Sequence, residues 1–385
     1  MTTLGPPPSY AEAVSSAVDV KRKETKAVSP AATSAPAEKR IWQQQIVEPK
    51  QLVGNMKSTW WRTPANTFAE ELLTRLQPHT LPQVGPRKGK LPVFTPAQQL
   101  RWMAPQFIAP ILIPWLSRRY GLRWPKWAMV AFSTTHWLRF AGNVVHLFVK
   151  LGHKWGYFDG TKPRDKVPDS AVQHLAFVYP SVAVARMLIG VLLIYKPRDP
   201  VRLTALLPVK AFLYSIVLDL FFYTYHRSCH EVEWLWKIHS THHLTKRPSP
   251  ILALLADEGQ EIIEVLLCPL GATFIMQKLL PMTYQEWYLT QLMVVFNEIA
   301  GHSGLRAYVE ASVTSIPLKP FGAALALEDH DMHHRRGWKK ATNYGKQSLL
   351  WDRIFGTKGV RLESQPENVD FNLSVWDEVP PELDL

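Results

Sequence analysis

Cysteine is nearly absent: Cys229 and Cys268 are the only two in 385 residues. Two thiols cannot build a disulfide framework or a four-cysteine zinc site, so the chain reads as reduced and intracellular. The first thirty residues lack the apolar stretch that opens a secretory signal peptide. No repeat of fixed period occurs, and no series of short alternating strands with hairpin turns. Hydrophobic residues are not scarce. At 46% hydrophobic, 11% aromatic and 20% charged, the composition excludes a disordered or collagen-like chain and supports a sizeable core.

The formal net charge of +12 is unevenly placed. From residue 361 onward Arg361 faces Glu363, Glu367, Asp370, Asp377, Glu378, Glu382 and Asp384, a net of −6, which leaves +18 on residues 1–360. Much of the excess lies in short knots between apolar runs, at Arg118-Arg119, Lys162–Lys166, Lys196–Arg202 and Arg335–Lys340. Such flanks suit the anionic cytosolic face of a membrane. No basic helix or base-stacking module accompanies them, so nucleic acid is not an expected partner.

Three regions follow. Residues 1–100, rich in Pro, Ala, Ser and Thr, read as a largely disordered N-terminal region with room for a short helix around Thr67–Leu76. They include Pro7-Pro8-Ser9-Tyr10, a PPxY pattern that a WW-domain protein accepts in polyproline II form; a proline-rich terminus with a chance tyrosine is the alternative. Residues 101–358 hold the apolar runs, and residues 359–385 form an acidic C-terminal tail. The runs are Phe107–Leu116, Trp127–Leu151, Leu175–Tyr195, Leu203–Tyr225, Val265–Leu280 and Trp287–Ile299. A bilayer core about 30 Å thick needs on the order of 20 helical residues, which the second, third and fourth runs supply. The others read as re-entrant or interfacial. Trp115, Trp124, Trp127, Trp234, Trp236 and Trp287 lie near run ends, where indoles favour the wet–dry boundary. A mean hydropathy of −0.10 also suits a soluble helical protein, but the long polar ends dilute that average. The expected fold is all-α: a multi-pass transmembrane helical bundle with a helical cap on the cytosolic side.

Nine of the fourteen histidines fall between residues 226 and 334. His226 and His230 form HxxxH; His239, His242 and His243 form HxxHH; His330, His333 and His334 form a second HxxHH; His302 stands alone. At the histidine frequency of 14 in 385, an HxxHH arises by chance at about 5 in 100,000 starting positions. Residues at i, i+3 and i+4 share a helix face, so each cluster can aim two or three imidazoles at one point. Neutral imidazole ligates iron, zinc or copper, and nine rings exceed what one ion holds. Two metals with four or five ligands each is the natural division. For the clusters to meet, the arms Val265–Leu280 and Trp287–Ile299 must leave the histidine side and return to it as a hairpin about Pro281. His79, His136, His146, His153 and His174 show no ligand spacing, and Cys229 reads as a small packed residue between ligands.

These residues resemble a known family. His226-Arg227-Ser228-Cys229-His230, His239-Ser240-Thr241-His242-His243, His302-Ser303-Gly304 and His330-Asp331-Met332-His333-His334 are similar to the histidine boxes of the fatty acid hydroxylase/sterol desaturase superfamily. Asn343-Tyr344-Gly345 and Trp351–Thr357 resemble its closing segment, so the likeness covers roughly residues 200–358. It implies a membrane-bound di-iron oxygenase of the endoplasmic reticulum, with two iron ions held by these nine histidines on the cytosolic side. It further implies O2 as co-substrate and electrons drawn from NAD(P)H through a separate donor such as cytochrome b5 and its reductase. Where sterol oxidases of the family carry an Asn/Ala-rich segment, this chain reads Ala256-Asp257-Glu258-Gly259-Gln260-Glu261. Asp257, Glu261 and Glu264 share a helix face there, either orienting ligand imidazoles or forming a solvated, capping face.

Breaking an unactivated C–H bond needs an oxidant beyond any side chain, which ferrous ions and O2 provide. The expected activity is hydroxylation of a fatty acyl or related lipid chain. A sterol desaturase or methyl oxidase is the alternative within the class, and a non-catalytic membrane metal-binding protein the alternative outside it.

Overall fold

A computed structural model describes residues 55–81 and 84–379 of the chain. The Pro7–Tyr10 motif lies outside these residues. Helix α1 spans Phe68–Leu76, α2 Pro96–Arg119, α3 Lys126–Trp155, α4 Val172–Leu193, α5 Leu207–Glu231 and α6 Glu233–His239. Next come α7 (Glu258–Leu279), α8 (Tyr284–Gly301), α9 (Leu327–Arg336) and α10 (Leu350–Ile354).

Three helix starts are written locally by the same device. Thr67, Thr95 and Thr283 each accept the N–H three residues on, while the Glu or Gln there accepts the threonine N–H in return. Helix α3 stops at Gly156, whose φ of +77° suits a residue without Cβ. Helix α7 winds as a π-turn over Ile262–Leu267, and Pro269 has no N–H to donate to the carbonyl of Val265.

Among the described residues, three helices are long and apolar enough to cross a membrane: Asp169–Leu193, Leu207–Glu231 and Glu258–Leu279. The first two carry the runs expected to span. The expected span at Trp127–Leu151 is not among them, although α3 is 30 residues long. Arg139 and Lys150 interrupt its apolar surface, and Met129, Trp137, Phe140, Val144, Phe148 and Leu151 are buried against neighbouring helices. The third span is instead the Val265–Leu280 run, lengthened by the turn that begins at Glu258. As expected, α7 and α8 form a hairpin about Pro281: α5 ends at the histidine side, α7 leaves it and α8 returns.

The fold is mostly helical, but not purely so. A three-stranded parallel sheet joins β1 (Leu91–Phe94), β2 (Tyr308–Val309) and β3 (Val369–Ser374) in the order β2-β1-β3. Val93 pairs with Tyr308, and Leu91 with Val369. Strands of two to six residues leave no periodic signature, and parallel pairing across more than two hundred residues leaves no turn signal. The sheet draws in residues 91–94 and 369–374, from the segments expected as disordered region and acidic tail. Leu73, Leu91 and Phe94 are fully buried, and Val375 is buried as well.

The tail also carries charge into the core. Arg361 donates through Nη2 to Asp329 at 2.7 Å, and Asp329 is fully buried on α9. The backbone N–H groups of Leu362, Glu363 and Ser364 donate to the carboxylate of Glu328, also fully buried. Losing one partner of such a buried pair costs about 3–5 kcal/mol. Truncation before Arg361 is therefore expected to lower the melting midpoint of the detergent-solubilised protein by several degrees, measured by differential scanning fluorimetry. Deleting residues 1–40 leaves every described contact in place and should leave the midpoint unchanged.

Candidate metal centre

The nine histidines of the boxes converge in one buried volume, each at 4% exposure or less. They divide into two groups: His226, His230, His239, His243 and His333 in one, His242, His302, His330 and His334 in the other. Within a group the ligand-capable atoms all lie within 4.8 Å of one another. The groups adjoin, the rings of His243 and His334 standing 4.9 Å apart.

The split refines the expectation that each box aims at a single point. His226 and His230, one helical turn apart at the end of α5, both face the first group. In the first HxxHH, the i and i+4 members His239 and His243 join that group, while His242 turns to the second. The second HxxHH, on α9, reverses the pattern: His330 and His334 face the second group and His333 the first. Each HxxHH thus contributes to both groups. His302 caps the C-terminus of α8 and completes the second.

Backbone carbonyls set the ring orientations. His226 Nδ1 donates to Tyr344 O at 2.9 Å, His230 Nδ1 to Trp338 O at 2.9 Å and His333 Nδ1 to Thr342 O at 2.8 Å. His242, His302 and His334 donate from Nδ1 to Leu255 O, Glu298 O and Thr245 O at 2.9, 2.7 and 2.9 Å. His239 Nδ1 donates to Gln260 Oε1 at 2.9 Å. A carbonyl only accepts, so these seven rings carry their proton on Nδ1 and present a bare lone pair on Nε2.

Three of those lone pairs meet no donor, and the others face only further imidazoles. Nε2 of His226, His239 and His334 is buried without a partner, and Nε2 of His242 and His302 face each other at 3.3 Å. His230 and His333 each bring Nε2 to 3.1 Å from Nε2 of His243. Protonation does not relieve the crowding. Burial first, then Lys346, pushes His242 down to about 4, and burial with neighbouring imidazoles holds His239, His243, His302, His330, His333 and His334 well below the ordinary histidine range. Facing acceptors in a buried site call for a cation between them, and ligand nitrogens at about 2.1 Å from a metal lie roughly 3 Å apart when cis. The donor set fits two metal ions.

Three of the anchoring carbonyls, from Trp338, Thr342 and Tyr344, belong to the loop after α9. Asp352 accepts the N–H groups of Tyr344 and Gly345 at 2.8 Å each, and Asp219 accepts those of Lys346 and Gln347 at 2.7 and 2.9 Å. A Cβ on Gly345 would stand 2.1 Å from Ser348 O, so only glycine passes there. Asp331, within the second HxxHH, is gripped by Arg164 at 2.9 Å and Arg335 at 2.8 Å.

Of the carboxylates expected to orient ligands, Asp257 accepts from Thr241 at 2.6 Å and so braces the first HxxHH indirectly. Glu261 pairs with His174, and Glu264 with Lys346, instead of with ligand rings. The residue that holds a ligand there is Gln260, whose only sequence signal was its place in the altered segment. The anchoring carbonyls carried no signal, because every residue has one. His79, His136, His146 and His174 bond elsewhere and stand outside both groups, as does His153. Cys229 is fully buried between ligand positions.

Residues 211–357 match the fatty acid hydroxylase family. That segment, which holds all the histidine boxes, is similar to the fatty acid hydroxylase superfamily. The fatty acid hydroxylase vlmA of a Lecanicillium species is 41% identical over 229 residues, 57% of this chain and 62% of the relative. A methylsterol monooxygenase of Arabidopsis thaliana is 32% identical over 161 residues, 41% of this chain and 56% of that protein. A very-long-chain aldehyde decarbonylase of Oryza sativa subsp. indica is 30% identical over 147 residues, 37% of this chain and 50% of its own length. The chain thus spans between a half and about three-fifths of these superfamily relatives. No solved structure matches it.

Two outcomes check the site. The purified protein should retain two metal equivalents by plasma mass spectrometry, with His243→Ala losing about one. Gly345→Ala, which removes no ligand, should weaken metal retention by about 10- to 100-fold through the displaced carbonyls, read by chelator competition.

Proposed function

We propose that this protein is a membrane-bound di-iron oxygenase that hydroxylates a fatty acyl chain. The observation that carries the reading is the pair of adjoining histidine groups, five and four rings strong, beside an apolar cavity. Trp137, Ala141 and Val145 line it from α3, Val182 from α4, and Val294, Val295 and Ile299 from α8. The α3 positions recur every four residues, so the lining runs roughly 12 Å along the bundle. An apolar space running along the bundle can take an extended alkyl chain, and the vlmA relative is itself a fatty acid hydroxylase. A smaller space, lined by His302 and His330, shares Glu298 and Lys346 with this cavity.

Bound iron would supply the reduction of O2 and the oxidising power to break an unactivated C–H bond. One oxygen atom enters that bond; the other leaves as water with two protons and two electrons. We assign the electrons to NAD(P)H, delivered by cytochrome b5 and its reductase or a similar donor, as the likeness to the family implies. The protein's own part is positional. The Nδ1 anchors hold the lone pairs in place before metal arrives, so little reorganisation is required on binding. The apolar lining strips water from the chain and holds its methylenes beside the rings. We place the protein in the endoplasmic reticulum membrane with the histidine side toward the cytosol, in keeping with the basic knot Arg335–Lys340 that follows the last box.

Expression with cytochrome b5 and its reductase, followed by mass analysis of lipid extracts, tests the reading. The expected product is a fatty acyl species heavier by one oxygen. A species lighter by two hydrogens would instead make the enzyme a desaturase, and bound zinc with no turnover would sink the oxygenase altogether. His242→Ala should abolish the product while leaving membrane insertion intact.

A further inference from the structure

The apolar cavity contains one cation that no carboxylate contacts. Arg186, in the candidate span Asp169–Leu193, is buried to 9% exposure and lines the cavity. Its Nη1 donates to Gln291 Oε1 at 3.2 Å, and its Nε has no acceptor. Gln291 lines the same cavity at 1% exposure, its side chain lying between Arg186 and the hydroxyl of Tyr214. The carboxylates of the lining act on Arg186 only through space and are held by Lys346, whose Nζ lies 2.7 Å from Glu264 and 3.8 Å from Glu298. Glu298 also accepts from Gln347 at 3.0 Å. A buried guanidinium with an unanswered Nε–H, and the amide beside it, therefore border the same water-poor space. Burying such donors without an acceptor is costly, and a guanidinium fork matches a carboxylate closely.

Their position matters as much as their chemistry. Helix α4 begins at the histidine side and α8 ends there, so Arg186 and Gln291 both stand at the far end of the cavity. Gln291 precedes His302 by eleven residues, roughly 16 Å along the helix. One turn beyond them the end is closed: a Cβ on Gly190 would stand 2.2 Å from Trp287, so the indole packs directly on the glycine.

We propose that Arg186 and Gln291 are the anchor for the carboxylate of a fatty acid, whose alkyl chain then extends along the cavity toward the imidazoles. The fate of the chain rests on the hydroxylase reading; its binding does not. The pair determines specificity for the head group and touches none of the ligand rings. An ester or amide carbonyl would meet the same donors but bring no countercharge, which separates a free acid from an esterified or amide-linked chain.

The test uses the full-length protein in nanodiscs with radiolabelled palmitate, displaced by palmitate or by its methyl ester. Wild type should prefer palmitate by about 10-fold or more, and Arg186→Gln should weaken palmitate by about 10- to 100-fold and the ester by much less, erasing the preference. Gln291→Glu places a carboxylate against Arg186 at nearly the same size. It should remove the preference for palmitate even if Arg186→Gln fails to fold. Equal binding of acid and ester by wild type would overturn the anchor, as would a preference that survives in Gln291→Glu. If Arg186-dependent binding holds but no oxidised lipid forms, the hydroxylase reading fails and the anchor stands. If oxidised lipid forms while Arg186→Gln binds palmitate normally, the reverse is true.

Discussion

The structure is organised around a repulsion. Nine imidazoles occupy one buried volume, and seven of them are fixed by carbonyls so that their bare nitrogens turn toward one another. Among the described residues nothing donates to the free Nε2 atoms of His226, His239 and His334, and burial disfavours charging the rings. Such an arrangement is unfavourable in the empty chain and favourable around cations. Much of the surrounding structure serves to hold it in place.

Buried acids do that holding, at one remove from the rings. Asp219 and Asp352 fix the turn at residues 344–348 through its own N–H groups, and that turn supplies the carbonyl of Tyr344 to His226. Asp331 is clamped by Arg164 and Arg335, Asp329 by Arg361, and Glu328 by three backbone donors from the tail. Helix α9 carries three ligands on ten residues, and its acidic positions fix it in three directions. The negative charge is spent on backbone and arginine, so it stays off the ligand rings and leaves them neutral.

The cavity has the complementary character. Its walls are contributed by α3, α4 and α8, whose apolar residues need only exclude water. Charge enters in two places: the Lys346–Glu264–Glu298 cluster at the wall shared with the histidine space, and Arg186 with Gln291 at the far end. An elongated ligand with one polar end would lie between them.

The histidine spacing determined much on its own. HxxxH and two HxxHH patterns specified eight of the nine ligand candidates, His302 standing outside them, and the number of rings called for two centres. Those are local facts, because helical periodicity fixes which residues can share a face. Helix starts were equally legible, each threonine capping box being complete within four residues. The division of each HxxHH between two groups was decided only when α5, α6, α8 and α9 met, since a face chosen by one helix becomes a site only through its neighbours. The same holds for the short parallel sheet, for the burial of α3 as a packed helix, and for Gln260 as a ring anchor. Backbone carbonyls orient six of the nine rings, and a group that every residue possesses acquires a role only from its tertiary position.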